Sequence, residues 1–468
     1  MFLKDFKNFD NIALINEDNL FLTYSQLNKK VIEFSNFFEC RHLVFIIGEN
    51  DVETIVSYLS SLDYGMVPLL LSAKIDINQL KNLIKIYKPK YIFQKFGECP
   101  YEKYSLESSY LGYALFVNDK KDDINLHPDL ALLLTTSGST GSPKLVRLTK
   151  KNLISNARSI SSYLGITSKD RAITSLPFNY SYGLSVINSH FISGGSIVLS
   201  NSSMIEGNFW HLINNHSVTS LAGVPYNYEM ILKLGFDRLK ISSIRIMTQA
   251  GGKLDADKIH EIYRSANLKK IKFYSMYGQT EATARISYLS PKNILKKKGS
   301  IGKVIPDGKL WIEDKYGKLI DQCNKVGELV YSGENVSMGY AESSNDLEKG
   351  DINKGILKTG DLAQFDSDGF FYIKGSCNRF LKIFGNRISL DSIEEIIAKK
   401  GFECSASGDD NKLLIFVVEN NSLSLEVLKA EVSNIISISQ TAIQINSVKK
   451  LPRMDNGKID YNSMKFNI

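Results

Sequence analysis

Cysteine is scarce in this chain and shows no pairing pattern. Of 468 residues five are cysteine, Cys40, Cys99, Cys323, Cys377 and Cys404, and none stands in a CxxC spacing. An odd, scattered set excludes a disulfide framework or a cysteine-based zinc site as the organising feature. The six histidines form no HExxH pattern and so offer no zinc-peptidase motif. No secretory leader is expected, since Met1-Phe2-Leu3-Lys4-Asp5 carries charge where an apolar run would begin; with reduced thiols, this sets the expectation of a cytoplasmic protein. No long hydrophobic run is present. The most apolar stretch, Ile55 to Ala73, is broken by Asp63 and contains Gly65 and Pro68, which predicts a helix, a turn and a strand rather than a membrane span. Glycine (32) and proline (10) are few, about 9% together against the roughly 25–30% of low-complexity chains. A concentrated basic face is absent as well. The net charge of +7 is spread along the chain, and the one local cluster, Lys292, Lys296, Lys297, Lys298 and Lys303, reads as a solvated loop. Neither nucleic acid nor membrane is expected as a partner.

What is there is an ordinary globular composition, 43% hydrophobic and 23% charged, long enough for about three domains or subdomains. Thr23-Tyr24-Ser25-Gln26 has the form of a capping box and predicts a helix through Phe37. His42 to Gly48 reads as a buried strand, Val52 to Leu62 as a helix, and Gly65 to Leu71 as the next strand. Helices alternating with short apolar strands predict an α/β fold with mostly parallel sheets. Near residue 300 the pattern changes: Gly308–Ile312, Gly327–Ser332 and Gly369–Lys374 read as strands of a β-rich subdomain, with Asp366-Ser367-Asp368-Gly369 as a turn. From Gly375 onward a small α+β unit remains.

Four segments carry chemistry. The first is Leu132-Leu133-Leu134-Thr135-Thr136-Ser137-Gly138-Ser139-Thr140-Gly141-Ser142-Pro143-Lys144. An apolar strand runs into glycines, which let the backbone approach an anion, and into hydroxyls, which add donors. It is not a GxxxxGK[ST] loop opening a helix: Pro143 precedes Lys144, a strand-like run continues to Thr149, and only then does a helix start. The second segment is Tyr274-Ser275-Met276-Tyr277-Gly278-Gln279-Thr280-Glu281-Ala282-Thr283. Tyr277 can stack on a purine, Thr280 can donate to a phosphate, and Glu281 offers a hard oxygen to Mg²⁺. The third, Leu357-Lys358-Thr359-Gly360-Asp361-Leu362, ends in a carboxylate suited to a vicinal diol. The fourth is Leu451-Pro452-Arg453-Met454-Asp455-Asn456-Gly457-Lys458-Ile459-Asp460.

The ordered strings resemble the adenylate-forming (AMP-binding) superfamily, which contains acyl-CoA synthetases, adenylation domains of nonribosomal peptide synthetases and luciferases. The resemblance runs over essentially the whole chain, with Gly327-Glu328-Leu329-Val330 through Gly339-Tyr340 as a further matching segment. It implies an acyl-CoA synthetase-like architecture: a large N-terminal AMP-binding domain of αβ subdomains plus the β-rich subdomain (1–376), and a small mobile α+β C-terminal domain (377–468) carrying the catalytic Lys458. It also implies residue roles. Thr136, Ser137, Gly138, Ser139, Thr140, Gly141 and Lys144 would hold the ATP phosphates. Glu281 and Thr140 would serve Mg²⁺ and the reaction. Gly251, Gly252, Tyr277, Gly278, Gln279 and Thr280 would bind the nucleotide, and Asp361 the ribose.

Two departures stand out. The hinge segment reads Gly375-Ser376-Cys377-Asn378-Arg379, with Ser376 for the usual Arg and Asn378 for the hinge Asp; Arg379 is the nearest basic residue to take the missing Arg's place. At the acyl pocket, Leu176-Pro177-Phe178-Asn179-Tyr180-Ser181-Tyr182-Gly183 has no charge at Asn179 or Tyr180. An α-ammonium would stay unpaired there, which favours a carboxylic acid other than a standard amino acid. Tyr180, Gly183 and Gly251 would line this pocket, although Phe178, Tyr180 and Tyr182 fit a plain aromatic core equally well. The implied activity is ATP- and Mg²⁺-dependent acyl-adenylate formation with release of pyrophosphate, then transfer to a thiol. The acceptor would be CoA, or the phosphopantetheine of a separate carrier protein, since the chain ends ten residues after Lys458. Amino-acid adenylation for a carrier protein and a non-catalytic nucleotide- or acyl-binding homologue are the alternatives.

Overall fold

The structure, a computed structural model, describes residues 10–39, 41–95, 101, 103–110, 112–118, 124–135, 144–377, 379–383, 386–409, 412–419, 424–436, 438–454, 457–461 and 464. It divides into two compact units. One is formed by Met1–Lys309 with Tyr331–Leu357, the other by Leu310–Val330 with Lys358–Ile468.

The first unit is α/β and holds two large sheets. The nine-stranded sheet has a parallel centre, from Ile12–Ile15 through Ser196–Val198, Arg171–Ile173, Ser220–Gly223 and Ile246–Gln249 to Lys272–Tyr277. In the eight-stranded sheet, Leu130–Thr135 and Leu43–Gly48 flank Val67–Ser72 as parallel neighbours. These strands are buried on both faces, which is why they read as unbroken apolar runs. Helices Tyr24–Ser35, Val52–Asp63, Lys150–Leu164 and Ser181–Ile192 contribute to a single core with inward residues of both sheets.

The first helix starts where the sequence marks it. Thr23 accepts from the Gln26 backbone N–H while the Gln26 side chain caps Thr23. It stops at Ser35, before Phe37, with Asn36 as its C-cap. Val52–Asp63 is buried nearly all round. Two of its serines bond back into the helix, Ser57 to the Thr54 carbonyl and Ser61 to the Ser57 carbonyl, while the buried Ser60 hydroxyl has no partner among the described residues. Among the described residues no helix is long and apolar enough to cross a membrane.

The second unit carries the β-rich part and the C-terminal part. A four-stranded sheet runs in the order Lys309–Glu313, Gly327–Ser332, Ile356–Phe365, Phe371–Ser376. A hairpin of Phe380–Ile383 with Asn386–Ser389 follows. Helices Leu390–Ala398 and Leu425–Ile436 then pack with the three-stranded sheet Cys404–Gly408, Leu413–Val418, Ile443–Val448 around one apolar cluster.

Candidate active site

The phosphate-loop residues Thr136, Ser137, Gly138, Ser139, Thr140 and Gly141, and the hinge residue Asn378, lie outside the described residues. The flanks of the loop are described. Strand Leu130–Thr135 pairs antiparallel with Leu145–Thr149, Thr135 opposite Leu145, so the segment leaves and re-enters the sheet at one point. At the re-entry Lys144 pairs with Glu342 at 2.7 Å and lies 5.5 Å from the centre of the Tyr340 ring. The Tyr340 hydroxyl donates to Glu281 Oε1 at 2.7 Å. Burial, then the charge and hydrogen bond of Glu281, push the Tyr340 phenol well above its usual range, so it remains a donor. One tyrosine thus links Lys144, at the end of the expected phosphate loop, to Glu281, the carboxylate expected to serve the metal.

Glu281 sits in a turn that the chain braces heavily. Strand Lys272–Tyr277 ends at Gly278, where a Cβ would lie 1.9 Å from the Ala284 carbonyl oxygen; only glycine lets the chain fold back so closely. The 3-10 turn Thr280–Ala282 follows, and Thr283 adopts a left-handed φ of 64°. Buried Asn335 holds the bend by donating to the Ala282 and Arg285 carbonyls at 2.8 and 2.9 Å, and Thr283 donates to the Asn335 carbonyl at 2.7 Å. Gln279 donates to the Tyr277 hydroxyl at 3.2 Å, and the Thr280 hydroxyl lies 3.1 Å from that of Ser181.

The pocket segment meets this turn from the side. Gly251 follows strand Ile246–Gln249 with φ 85°, and a Cβ there would lie 2.4 Å from the Tyr180 hydroxyl. The carbonyl of Gly252 accepts from Gln249 at 3.1 Å. The structure separates the three aromatics. Phe178 and Tyr182 are core, the Tyr182 hydroxyl donating to the Thr248 carbonyl at 2.7 Å, while Tyr180 is half-buried. Gly183 is needed for packing, because a Cβ would sit 2.3 Å from the Pro177 carbonyl oxygen. Sequence reasoning missed Arg285, which is buried with its guanidinium 3.9 Å from the centre of the Tyr182 ring. The available signal was a lone cation in the otherwise uncharged run Ala282 to Leu289.

The remaining candidates belong to the second unit. Asp361 lies opposite Ser376 on paired strands, and its N–H donates to the Thr359 hydroxyl at 3.1 Å. Ser376 donates through its N–H to Asp391 at 2.9 Å and through its hydroxyl to the Gly360 carbonyl at 3.2 Å. Arg379 is engaged by two carboxylates, Asp391 and Glu394, with the Tyr461 ring 4.4 Å away. Burial alone would lower its pKa, but Glu394 and Asp391 outweigh that and raise it. Lys458 is part of a tight hairpin. Its carbonyl accepts from the Met454 N–H at 2.8 Å, Arg453 and Ile459 form an antiparallel bridge, and Gly457 takes φ 77°. Arg453 ties this hairpin to Glu403 at 2.8 Å. Met454 contributes only its backbone to the bond with Lys458, so the hairpin closes without its side chain.

Among the described residues no cluster of three or more His, Cys, Asp or Glu could form an all-protein metal cage. A lone carboxylate such as Glu281 would fit Mg²⁺ nonetheless, because that ion keeps waters and commonly takes one or two carboxylates plus substrate phosphates.

Residues 6–341 match the AMP-binding enzyme family. The chain is 24% identical to a 2-succinylbenzoate--CoA ligase of Oceanobacillus iheyensis, over 95% of this chain and 94% of that protein. Its fold is similar to o-succinylbenzoate CoA synthetase from Bacillus subtilis. It resembles that enzyme's complex with the acyl-adenylate intermediate with a TM-score of 0.77 at 23% identity, covering 98% of this chain and 96% of the other. It resembles the complex with ATP and magnesium ion with a TM-score of 0.76 at 24% identity, covering 97% of each.

Proposed function

We propose, from the premise that the chain belongs to the AMP-binding enzyme family, that it is an AMP-forming ligase joining a small carboxylic acid to the thiol of CoA. A carboxylate is a poor electrophile, and adenylation makes it a mixed anhydride with AMP as leaving group. A carboxylate oxygen attacks the α-phosphorus of ATP and pyrophosphate leaves. The thiol sulfur then attacks the acyl carbon, AMP leaves, and the thiol proton passes to solvent. The protein supplies no nucleophile. It holds two anions in line and offsets charge.

The observation that carries this reading is the Lys144–Tyr340–Glu281 constellation at the mouth of the phosphate loop, fixed by the braced Gly278–Arg285 turn. Lys144 and residues 136–141 hold the phosphates, and Tyr277 and Gly251-Gly252 hold the base. Glu281 with Thr140 would hold Mg²⁺, which would offset triphosphate charge. Asp361 takes the ribose hydroxyls, and Lys458 stabilises charge between the carboxylate and the α-phosphate. Tyr180 and Gly251 border the acyl group. A mobile C-terminal domain from residue 377, hinged at Asn378, belongs to the same proposal, as does a carrier-protein thiol as a second kind of acceptor. Arg379 is committed to Asp391 and Glu394, so its part is to stiffen the C-terminal unit beside the hinge.

The test is ATP-dependent pyrophosphate release against a panel of fatty, aromatic, hydroxy, dicarboxylic and amino acids. Release with one acid class, reduced about 10²–10³-fold in Lys458→Ala, supports the proposal. No release from any acid while ATP still binds would defeat it.

A further inference from the structure

Arg285 is 2% exposed, and its Nε has no hydrogen-bond partner. No ion pair with a carboxylate is found for it among the described residues. Around it stand tyrosines. Its guanidinium lies 3.9 Å from the centre of the Tyr182 ring. Its charge and a hydrogen bond act on Tyr163, working against the burial that raises that phenol, and its charge also reaches Tyr180. Tyr163 is stacked on Tyr288 at 4.1 Å, and the Tyr182 hydroxyl is committed to Thr248.

A buried cation without a counter-charge is strongly unfavourable. A ring face returns only part of that cost when desolvated. The neighbours that could complete the site are phenols, which burial keeps protonated. A ligand anion is the missing partner. The carboxylate that is activated cannot fill this role, because it loses its charge on adenylation and remains neutral in the thioester. A second anionic group keeps its charge through both half-reactions. The cluster that contains Arg285's aromatic neighbours includes Tyr180, the residue lying against Gly251, so Arg285 stands beside the segment expected to line the acyl pocket.

We propose that Arg285 is the receptor for a second carboxylate on the acid this enzyme activates, so that the substrate is a dicarboxylic acid. This rests on the acid-activating reading given above. The test measures pyrophosphate release with a set of aliphatic and aromatic dicarboxylic acids, each beside its monomethyl ester. The wild-type protein is expected to favour at least one diacid over its monoester by more than about tenfold in kcat/KM. Arg285→Gln is expected to collapse that ratio toward one, mainly through KM, and Arg285→Lys to restore part of it. A wild-type protein indifferent to the ester, or an Arg285→Gln protein that loses diacid and monoester activity equally, would overturn the proposal. The wild-type ratio needs no variant, so misfolding of Arg285→Gln leaves the test intact. Failure of every acid, esters included, would strike the acid-activating reading itself and is recognisable as such.

Discussion

Arg147 and Arg285 are equally hidden from water, at 0% and 2% exposure, in the same unit of one chain. Arg147 lies in the strand that follows the phosphate loop, and its guanidinium is spent on backbone. It donates to the carbonyls of Met338 at 2.9 Å, Tyr340 at 3.2 Å and Gly350 at 3.2 Å, and to that of Lys349. Four carbonyls of one irregular segment are satisfied by a single side chain, and that segment carries Tyr340 and Glu342, the partners of Glu281 and Lys144. Among the described residues the Arg285 side chain meets neither a carbonyl nor a carboxylate, only ring faces and phenols. A cation that satisfies the fold completely is structural. One that the fold leaves incomplete points to something that arrives later.

Removing Arg147 gives the largest expected effect. Arg147→Leu strips the donor from the buried Met338 carbonyl and from three part-buried ones, at about 1–3 kcal/mol for a buried group, so chemical denaturation should show a loss of about 3 kcal/mol. A near-neutral result would break the contrast.

A third buried ionisable group, His190, extends the comparison. Burial holds its pKa down from 6.5 to about 4 against the opposing hydrogen bond to Val186. Neutral, it donates from Nδ1 to the Val186 carbonyl at 2.8 Å, with Ser220 Oγ 3.2 Å from Nε2. The unfolded chain takes up this proton at the higher pH. The stabilisation is therefore full above about pH 6.5 and is lost as pH falls toward about 4, in total about 3 kcal/mol at roughly 1.4 kcal/mol per pH unit. Denaturation midpoints across that range should show this slope, and His190→Gln should flatten it.

Tyr340→Phe removes the donor to Glu281 from a residue that is 41% exposed. It should lower kcat/KM for Mg·ATP about fivefold, the equivalent of roughly 1 kcal/mol, with folding stability little changed. Smallest in stability terms is Arg285→Leu. Replacing an unpaired buried charge by an apolar group should leave the unfolding free energy unchanged or raise it by up to about 1 kcal/mol. A destabilisation as large as that of Arg147→Leu would show Arg285 to be structural after all.

Much of the fold was legible in local pattern. The capping box at Thr23, the strand–helix–strand run from Leu43 to Ser72, the strand Gly327–Ser332 and the helix starting after Thr149 follow from short-range spacing. Gly251 and Gly278 were read as nucleotide-binding residues, and their close approaches within the chain, to the Tyr180 hydroxyl and the Ala284 carbonyl, were not legible. Contacts between distant residues were not legible. Tyr340 meets Glu281 and Arg147 meets Lys349 only through tertiary packing, and no periodicity encodes that. Arg379 looked available for a nucleotide, but its partners Asp391 and Glu394 come from the helix Leu390–Ala398. Ser376, an apparent loss at the hinge, turns out to hold the Gly360 carbonyl and Asp391 through its hydroxyl and N–H.

The most direct test of the central claim is the nucleotide product formed with a responsive acid and CoA. AMP and pyrophosphate should appear in equal amounts with the acyl thioester. ADP and inorganic phosphate, or thioester formed without cleavage to AMP, would contradict the account.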